Sequence, residues 1–351
     1  MITKIRKNNL YDLTVDTRRY RLIMIIMAIV LVVFVLFCLS IGKYSVTSSQ
    51  ALQIIFGRIS GGEQTWPPMA ENVVLGLRLP RAVAAIVVGA ALSISGAVFQ
   101  GIFKNPLVSP DLLGVSSGAC VGAAIAILMS LGAVYMQVFA FFGGIVAVLL
   151  TASIPALLRS SSNIMLVLAG IIVGGVMTSV LGFLKYIADP ETQLASITYW
   201  QLGSLSYVDP LSLLSVLPTI IVPSILLVCI SWRIDVLSLG EREAQSLGVN
   251  VSRMRGFVML CATLLTASSV CISGTIGWVG LVIPHFGRMM IGPSHTRLIP
   301  AVCLLGGIFM LAVDTATRTI APTEMPISIL TGIIGAPFYA WLLYRQRMRL
   351  T

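Results

Sequence analysis

Side chains able to do chemistry are scarce in this chain, and their spacing does not suit catalysis. Six cysteines (Cys38, Cys120, Cys229, Cys261, Cys271 and Cys303) all lie inside apolar runs without CxxC spacing. They read as small buried hydrophobes and imply neither a disulfide framework nor a metal site. His285, in Val282-Ile283-Pro284-His285-Phe286-Gly287-Arg288, is the one histidine expected inside an apolar span. No G-x-x-x-x-G-K-[ST] phosphate loop occurs, so nucleotide hydrolysis would have to be carried out by another polypeptide. What remains is charge in particular places. Arg78 and Arg81 are three residues apart, on one face of a helix beginning there, and Arg318 lies far downstream. A guanidinium suits bidentate carboxylate recognition better than an ammonium does. The stretch Leu239-Gly240-Glu241-Arg242-Glu243-Ala244-Gln245-Ser246-Leu247-Gly248 reads as a short amphipathic helix stopped by Gly248, a residue suited to a C-terminal cap.

The elements that must position these groups are membrane helices. The chain of 351 residues is 57% hydrophobic and only 10% charged, against about 25% charged in soluble domains. Apolar runs long enough to cross a ~30 Å hydrocarbon core recur along it, at about 22–42, 82–103, 112–131, 133–157, 164–187, 211–232, 257–274, 276–291, 298–317 and 326–344. The expected fold class is all-α and polytopic, with about ten spans. It is not an outer-membrane barrel, whose segments are ~10 residues long and alternate. The first run has no small-residue cleavage site after it and reads as a retained anchor.

The net charge of +10 is distributed at span ends and does not point to nucleic acid. An even number of spans puts both termini on one side. If that side is the cytosol, all but six of the 23 Lys and Arg residues lie inside, the exceptions being Lys43, Arg58, Arg78, Arg81, Lys185 and Arg318. The positive-inside rule favours this orientation. The organisation expected is a basic cytoplasmic tail over 1–21, a single membrane domain over 22–344 with a cytoplasmic segment at 233–256, and a short tail over 345–351. Capping side chains precede prolines at Ser109-Pro110-Asp111, Asp189-Pro190-Glu191 and Asp209-Pro210, predicting helix starts, the middle one opening a short external helix near 190–201. Small residues recur at four-residue spacing in Gly114, Gly118 and Gly122, and in Gly170, Gly174, Thr178 and Gly182, which predicts close helix packing.

Ionisable residues look nearly missing from the span interiors, with Lys185 and Asp314 near outer ends. Ion-coupled carriers keep such groups despite a cost of at least ~2.5–3.5 kcal/mol each, so the reading favours an external energy source over an ion-gradient-driven secondary transporter. A membrane receptor or scaffold would need separate partners for the outer arginines and the inner segment.

Several motifs, in order along the chain, resemble one family. Leu77-Arg78-Leu79-Pro80-Arg81 precedes the second span. Lys104-Asn105-Pro106-Leu107-Val108-Ser109-Pro110-Asp111-Leu112-Leu113-Gly114-Val115 precedes the third. Gly277-Trp278-Val279-Gly280-Leu281-Val282-Ile283-Pro284-His285 lies in the eighth, and Leu330-Thr331-Gly332-Ile333-Ile334-Gly335-Ala336-Pro337 in the tenth. The chain is similar to FecCD-type permeases, subunits of ABC importers for iron chelates, haem and cobalamin. The resemblance implies a ten-helix subunit of a bacterial cytoplasmic (inner) membrane. Its partners would be a second permease, identical or not, two ABC ATPase subunits carrying ATP and magnesium, and an extracytoplasmic binding protein. This chain itself would bind no cofactor and perform no covalent chemistry.

The resemblance also implies residue roles. Arg78, Arg81 and Arg318 would receive carboxylates of the binding protein. Leu239, Gly240, Glu241, Arg242, Glu243, Ala244, Leu247 and Gly248 would form the coupling segment that presses into the ATPase. Asn105 and Leu107 would form a cytoplasmic gate together with Ser162 and Asn163, although the loop holding the last two departs from the family pattern. The favoured cargo is a ferric siderophore or related iron chelate, with haem and cobalamin as alternatives.

Overall fold

The computed structural model describes residues 16–61, 64, 66–159, 162–321 and 323–347. Most of the basic N-tail and the end of the C-tail therefore lie outside the described residues. Among the described residues, ten apolar helices form one bundle. They are α1 (Thr17–Ser40), α3 (Leu79–Phe103), α4 (Val115–Leu128), α5 (Ala133–Leu157), α6 (Asn163–Ile187), α8 (Pro210–Cys229), α11 (Val251–Ser273), α12 (Val279–Ile291), α13 (His295–Thr319) and α14 (Ile327–Arg347). Each overlaps an expected span.

Shorter helices connect them: α2 (Ser48–Ser60) and α7 (Gln193–Leu202) on the outer side, and α9 (Ser231–Leu239) and α10 (Glu241–Ser246) on the basic, inner side. The outer stretch near 43–81 is therefore more than a polar loop. It holds α2, opened by a capping box between Thr47 and Gln50, and a π-helical turn, Asn72–Arg78, that runs straight into α3. Asp209 caps α8 by accepting the Ser212 N–H at 2.8 Å. The external helix begins at Gln193, with Asp189 accepting the N–H groups of Glu191 and Thr192 ahead of it. Ser109 makes no capping bond, because the chain first makes a 3-10 turn over Pro110–Leu113.

Helix α3 is the centre of the bundle, with nearly every side chain from Ala82 onward buried. Small residues let neighbours reach its backbone. A Cβ on Gly89 would overlap the Gly306 carbonyl of α13, and one on Gly96 would overlap the Gly280 carbonyl of α12. In a bilayer such contacts hold helices through dispersion, since lipid is as apolar as the side chains. The same logic seals α4 against α5, where Cβ atoms on Gly118 and Gly122 would strike the backbone of Gly143 and Phe139.

The second predicted stripe behaves differently. A Cβ on Gly170 of α6 would overlap the Leu112 carbonyl, whereas one on Gly174, Gly175 or Gly182 would meet nothing within 4 Å. Helix α6 also exposes Ile171, Ile172, Val176 and Phe183. An apolar face of this kind is stable only against lipid or another apolar helix.

Candidate functional site

Three sets of polar groups stand out, at the outer end, the inner end and the middle of the bundle. The outer set gathers the three arginines. Arg78, last residue of the π-helical turn, is 7% exposed, and its guanidinium donates to the carbonyls of Leu39 (2.7 Å), Ser40 (3.3 Å) and Tyr44 (2.5 Å). It thus satisfies the orphan carbonyls where α1 ends, a favourable place for a cation. Arg81, one turn on, donates Nε to Asp314 at 2.9 Å and Nη1 to Glu324 at 3.0 Å. Arg318, one turn after Asp314 on α13, approaches the other Asp314 oxygen at 3.3 Å.

Asp314 is fully buried between two guanidinium groups, whereas the Glu324 side chain is 44% exposed. Burial pushes the Glu324 carboxyl up, but hydrogen bonds from Ser206 and Arg81 and the Arg81 charge more than offset this and leave it below the usual range. The three arginines lie together at the outer end, each has partners inside the chain, and the most exposed charge among them is the Glu324 carboxylate.

The inner set is the segment expected from the sequence to couple to a partner. Gly240 separates α9 from α10 with a φ of 155°, and a Cβ there would collide with the Glu243 carboxylate. Ala244 is fully buried with Val236, Leu237, Val249 and Val251, while Leu239 and Leu247 are 65% and 56% exposed. Helix α10 ends as predicted at Gly248, in the left-handed region at φ 77°; the Val249 N–H reaches back to the Ala244 carbonyl at 3.0 Å, a Schellman-type closure. Glu241 pairs with Arg255 of α11 at 2.5 Å. Arg242 is exposed. The segment is therefore a small folded unit with its own core and an outward apolar and charged surface.

Two residues absent from the sequence reading tie this unit to the bundle. Asp235 of α9 accepts three hydrogen bonds from the start of α13: from the His295 N–H (2.6 Å), from the His295 ring at Nδ1 (2.7 Å) and from Ser294 Oγ (2.8 Å). Burial raises the Asp235 pKa, but the His295 and Ser294 bonds outweigh it and hold the carboxyl below its usual range. His295 is buried, and its ring lies over Gly101 of α3, where a Cβ would overlap Nε2. The sequence offered no local signal for this pair, whose members are 60 residues apart.

Of the gate candidates, Asn105 accepts the Leu107 N–H at 2.9 Å through its side chain, an Asx-turn that shapes the loop after α3. Leu107 is 44% exposed. Ser162 occupies the N-cap position of α6. Asn163 opens that helix, and its side chain lies outside the described residues.

The charged groups of these spans lie near the span ends: Asp314 is buried with Arg81 and Arg318 on it at the outer end, and Arg288, near the inner end of α12, bonds to Gln100 of α3. Asp111, which follows the predicted cap Ser109 and Pro110 ahead of the third span, lies inside the bundle. Residues 104–114 climb from the inner end of α3 to the level of mid-α6, where Asp111 lines a cavity of about 240 Å³ with Ser116, Ser117, Thr178, Gln201 and Thr275.

Among the described residues, ten apolar helices with a small folded inner unit and an ion-paired outer cap form the architecture of a multi-pass membrane protein. The chain belongs to the FecCD transport family, whose model matches residues 15–345. It is 39% identical over 311 residues to the molybdate import system permease protein MolB of Haemophilus influenzae, covering 88% of this chain and 91% of that protein. It is 41% identical over 278 residues to an iron chelatin transport system permease protein of Helicobacter pylori, covering 78% and 83%. Among solved structures it matches a metal-chelate type ABC transporter in an inward-facing conformation with a TM-score of 0.82, at 37% identity, over 92% of this chain and 99% of that one. It is an ABC importer permease.

Proposed function

We propose that this chain carries a ferric siderophore or related iron chelate across the cytoplasmic membrane, as one of two permeases driven by two separate ATPase subunits and fed by an extracytoplasmic binding protein. The observation that supports this best is the inner unit of α9 and α10. It presents Leu239 and Leu247 outward beside Glu241 and Arg242, and at its other end it is fastened to α13 through Asp235 and His295. A surface built this way suits docking into a groove of a partner, and the fastening carries any displacement of that partner into the bundle. Nucleotide-driven closure of the ATPase pair would then shift the membrane helices between two openings.

The second permease would cover the open apolar face of α6. Asn105, Leu107 and Ser162, on the inner ends of α3 and α6, would form the inner gate with Asn163. The binding protein would dock on the outer cluster, where an incoming carboxylate competes with Glu324 for Arg81. The relatives named above act on different cargoes, and haem or cobalamin is the alternative to an iron chelate. To test the coupling role, Leu247→Cys in the complex with the partner ATPase is expected to cross-link to that subunit in a nucleotide-dependent manner. A cross-link yield no higher than that of a lipid-facing control such as Ile171→Cys would contradict it.

A further inference from the structure

Three arginines at the inner end of α1, Arg18, Arg19 and Arg21, are exposed. Among the described residues, no ion pair involves any of them. Asp16, Asp235 and Glu241, carboxylates of the same side, are engaged with other groups: Asp16 accepts the Arg18 N–H at 3.4 Å as the cap of α1, Asp235 holds His295 and Ser294, and Glu241 pairs with Arg255. The start of a helix is also the end that least favours cations. The guanidinium groups therefore stand where the described residues supply no paired counter-charge.

Their surroundings are part protein and part lipid. With 3.6 residues per turn, Thr17, Tyr20, Met24 and Met27 share one face of α1, and this face packs on α13. Arg297 of α13 donates to Thr17 Oγ1 at 3.3 Å, its guanidinium lies 5.6 Å from the centre of the Tyr20 ring, and Met27 is buried with Ile291 and Ala301. Arg18 begins the adjoining face, which continues through Leu22, Ile25 and Ile29, all exposed. Arg21 lies between the two faces. Arg18, Arg21 and Arg297 thus surround a corner of the α1–α13 seam, and an apolar strip of the kind that meets acyl chains runs on from it. Basic pockets between membrane helices on the cytoplasmic side take phospholipid headgroups. A negative headgroup carrying acyl chains matches both parts of this surface.

We propose that the inner end of the α1–α13 seam is a binding site for an anionic phospholipid of the inner leaflet, its phosphate held by Arg18, Arg21 and Arg297 and its acyl chains lying along Leu22, Ile25 and Ile29. Arg297 stands two residues after His295 on the same helix. The bound lipid therefore braces α13 beside the Asp235–His295 contact. The inference does not depend on which cargo the permease carries.

The test reads lipid preference beside the seam. The full-length chain carrying Leu22→Trp is reconstituted in phosphatidylcholine vesicles with rising fractions of dibrominated phosphatidylglycerol or dibrominated phosphatidylcholine. Quenching is measured against the same chain without the reporter. Each arginine near the surface contributes about a fivefold preference for anionic lipid, so phosphatidylglycerol is expected to bind at the reporter more tightly by about tenfold or more. Arg18→Gln/Arg21→Gln, which leaves the Arg297 contacts with Thr17 and Tyr20 in place, should remove most of that preference. Arg159→Gln/Arg253→Gln, a charge-matched pair of exposed arginines beside α5 and in α11, should keep it. A preference near one in the parent, one retained by Arg18→Gln/Arg21→Gln, or one lost equally in the charge-matched pair would overturn the proposal. Loss of preference on adding inorganic phosphate, but not potassium chloride of equal ionic strength, would overturn it by assigning the corner to a small anion. Loss on adding the partner ATPase would overturn it by assigning the corner to a protein surface.

Discussion

The two ends of the α3–α13 pair are held by different chemistry. At the outer end Arg81, Arg318, Asp314 and Glu324 form a network in which one buried carboxylate serves two guanidinium groups. At the inner end a single Asp235 receives the ring and backbone of His295 and the Ser294 hydroxyl. The outer network lies within the membrane domain and fixes α3 to α13. The inner bond joins the bundle to a separate folded unit, α9–α10, and can be made or broken without exposing a buried charge to hydrocarbon. One end is a lock and the other a joint.

Removing the lock should have the largest effect. Asp314→Ala leaves two guanidinium groups without their shared counter-charge, and breaking a buried pair from one side costs roughly 3–5 kcal/mol. The expected outcome is a permease that inserts poorly or unfolds well below the parent temperature in detergent; a parental melting temperature would show that the network does not hold the helices.

Breaking the joint should cost less and show itself in function. Asp235→Asn removes a charge-assisted acceptor of about 1.5–3 kcal/mol, so modest destabilisation with a disproportionate loss of ATP-driven uptake is expected, ATP hydrolysis continuing uncoupled. The pH dependence follows from the lowered Asp235 pKa. The folded carboxylate is favoured, so its contribution is complete above the unfolded value of about 3.9 and is lost as pH falls through the folded value. The stability gap between parent and Asp235→Asn should thus be present above about pH 5 and close below about 4. A gap that opened on acidification would have the wrong sign.

The smallest effect belongs to Glu324→Gln. Its side chain is 44% exposed, and exposed pairs contribute about 0–1 kcal/mol. Little change in melting is expected, while affinity for the binding protein changes if Glu324 competes for Arg81. An unchanged affinity would detach the outer cluster from docking.

The helices were legible in the sequence because hydrocarbon imposes length and polarity on every span, and all ten expected runs correspond to helices. The short inner helix was legible for a local reason: Gly240 and Gly248 bracket one short amphipathic turn, and its cap needs only neighbouring residues. The outer arginines were half legible. Their side follows from charge bias, but their partners Asp314 and Glu324 are supplied by α13 and the loop after it. The Asp235–His295 joint and the ascent of residues 104–114 were not legible, since both depend on which helix ends meet in space. The Ser109-Pro110 signal ahead of Asp111 marks a helix start but says nothing of the depth at which that turn sits.

The central claim is that an external engine works this permease through α9–α10. The direct measurement is uptake of a radiolabelled iron chelate into liposomes containing this permease, its ATPase partner and the binding protein. The account predicts uptake that requires ATP inside and hydrolysable nucleotide, and that collapses when Glu243→Arg disrupts the turn at Gly240. Uptake by this permease alone, driven by a proton or sodium gradient with no ATPase present, would contradict it.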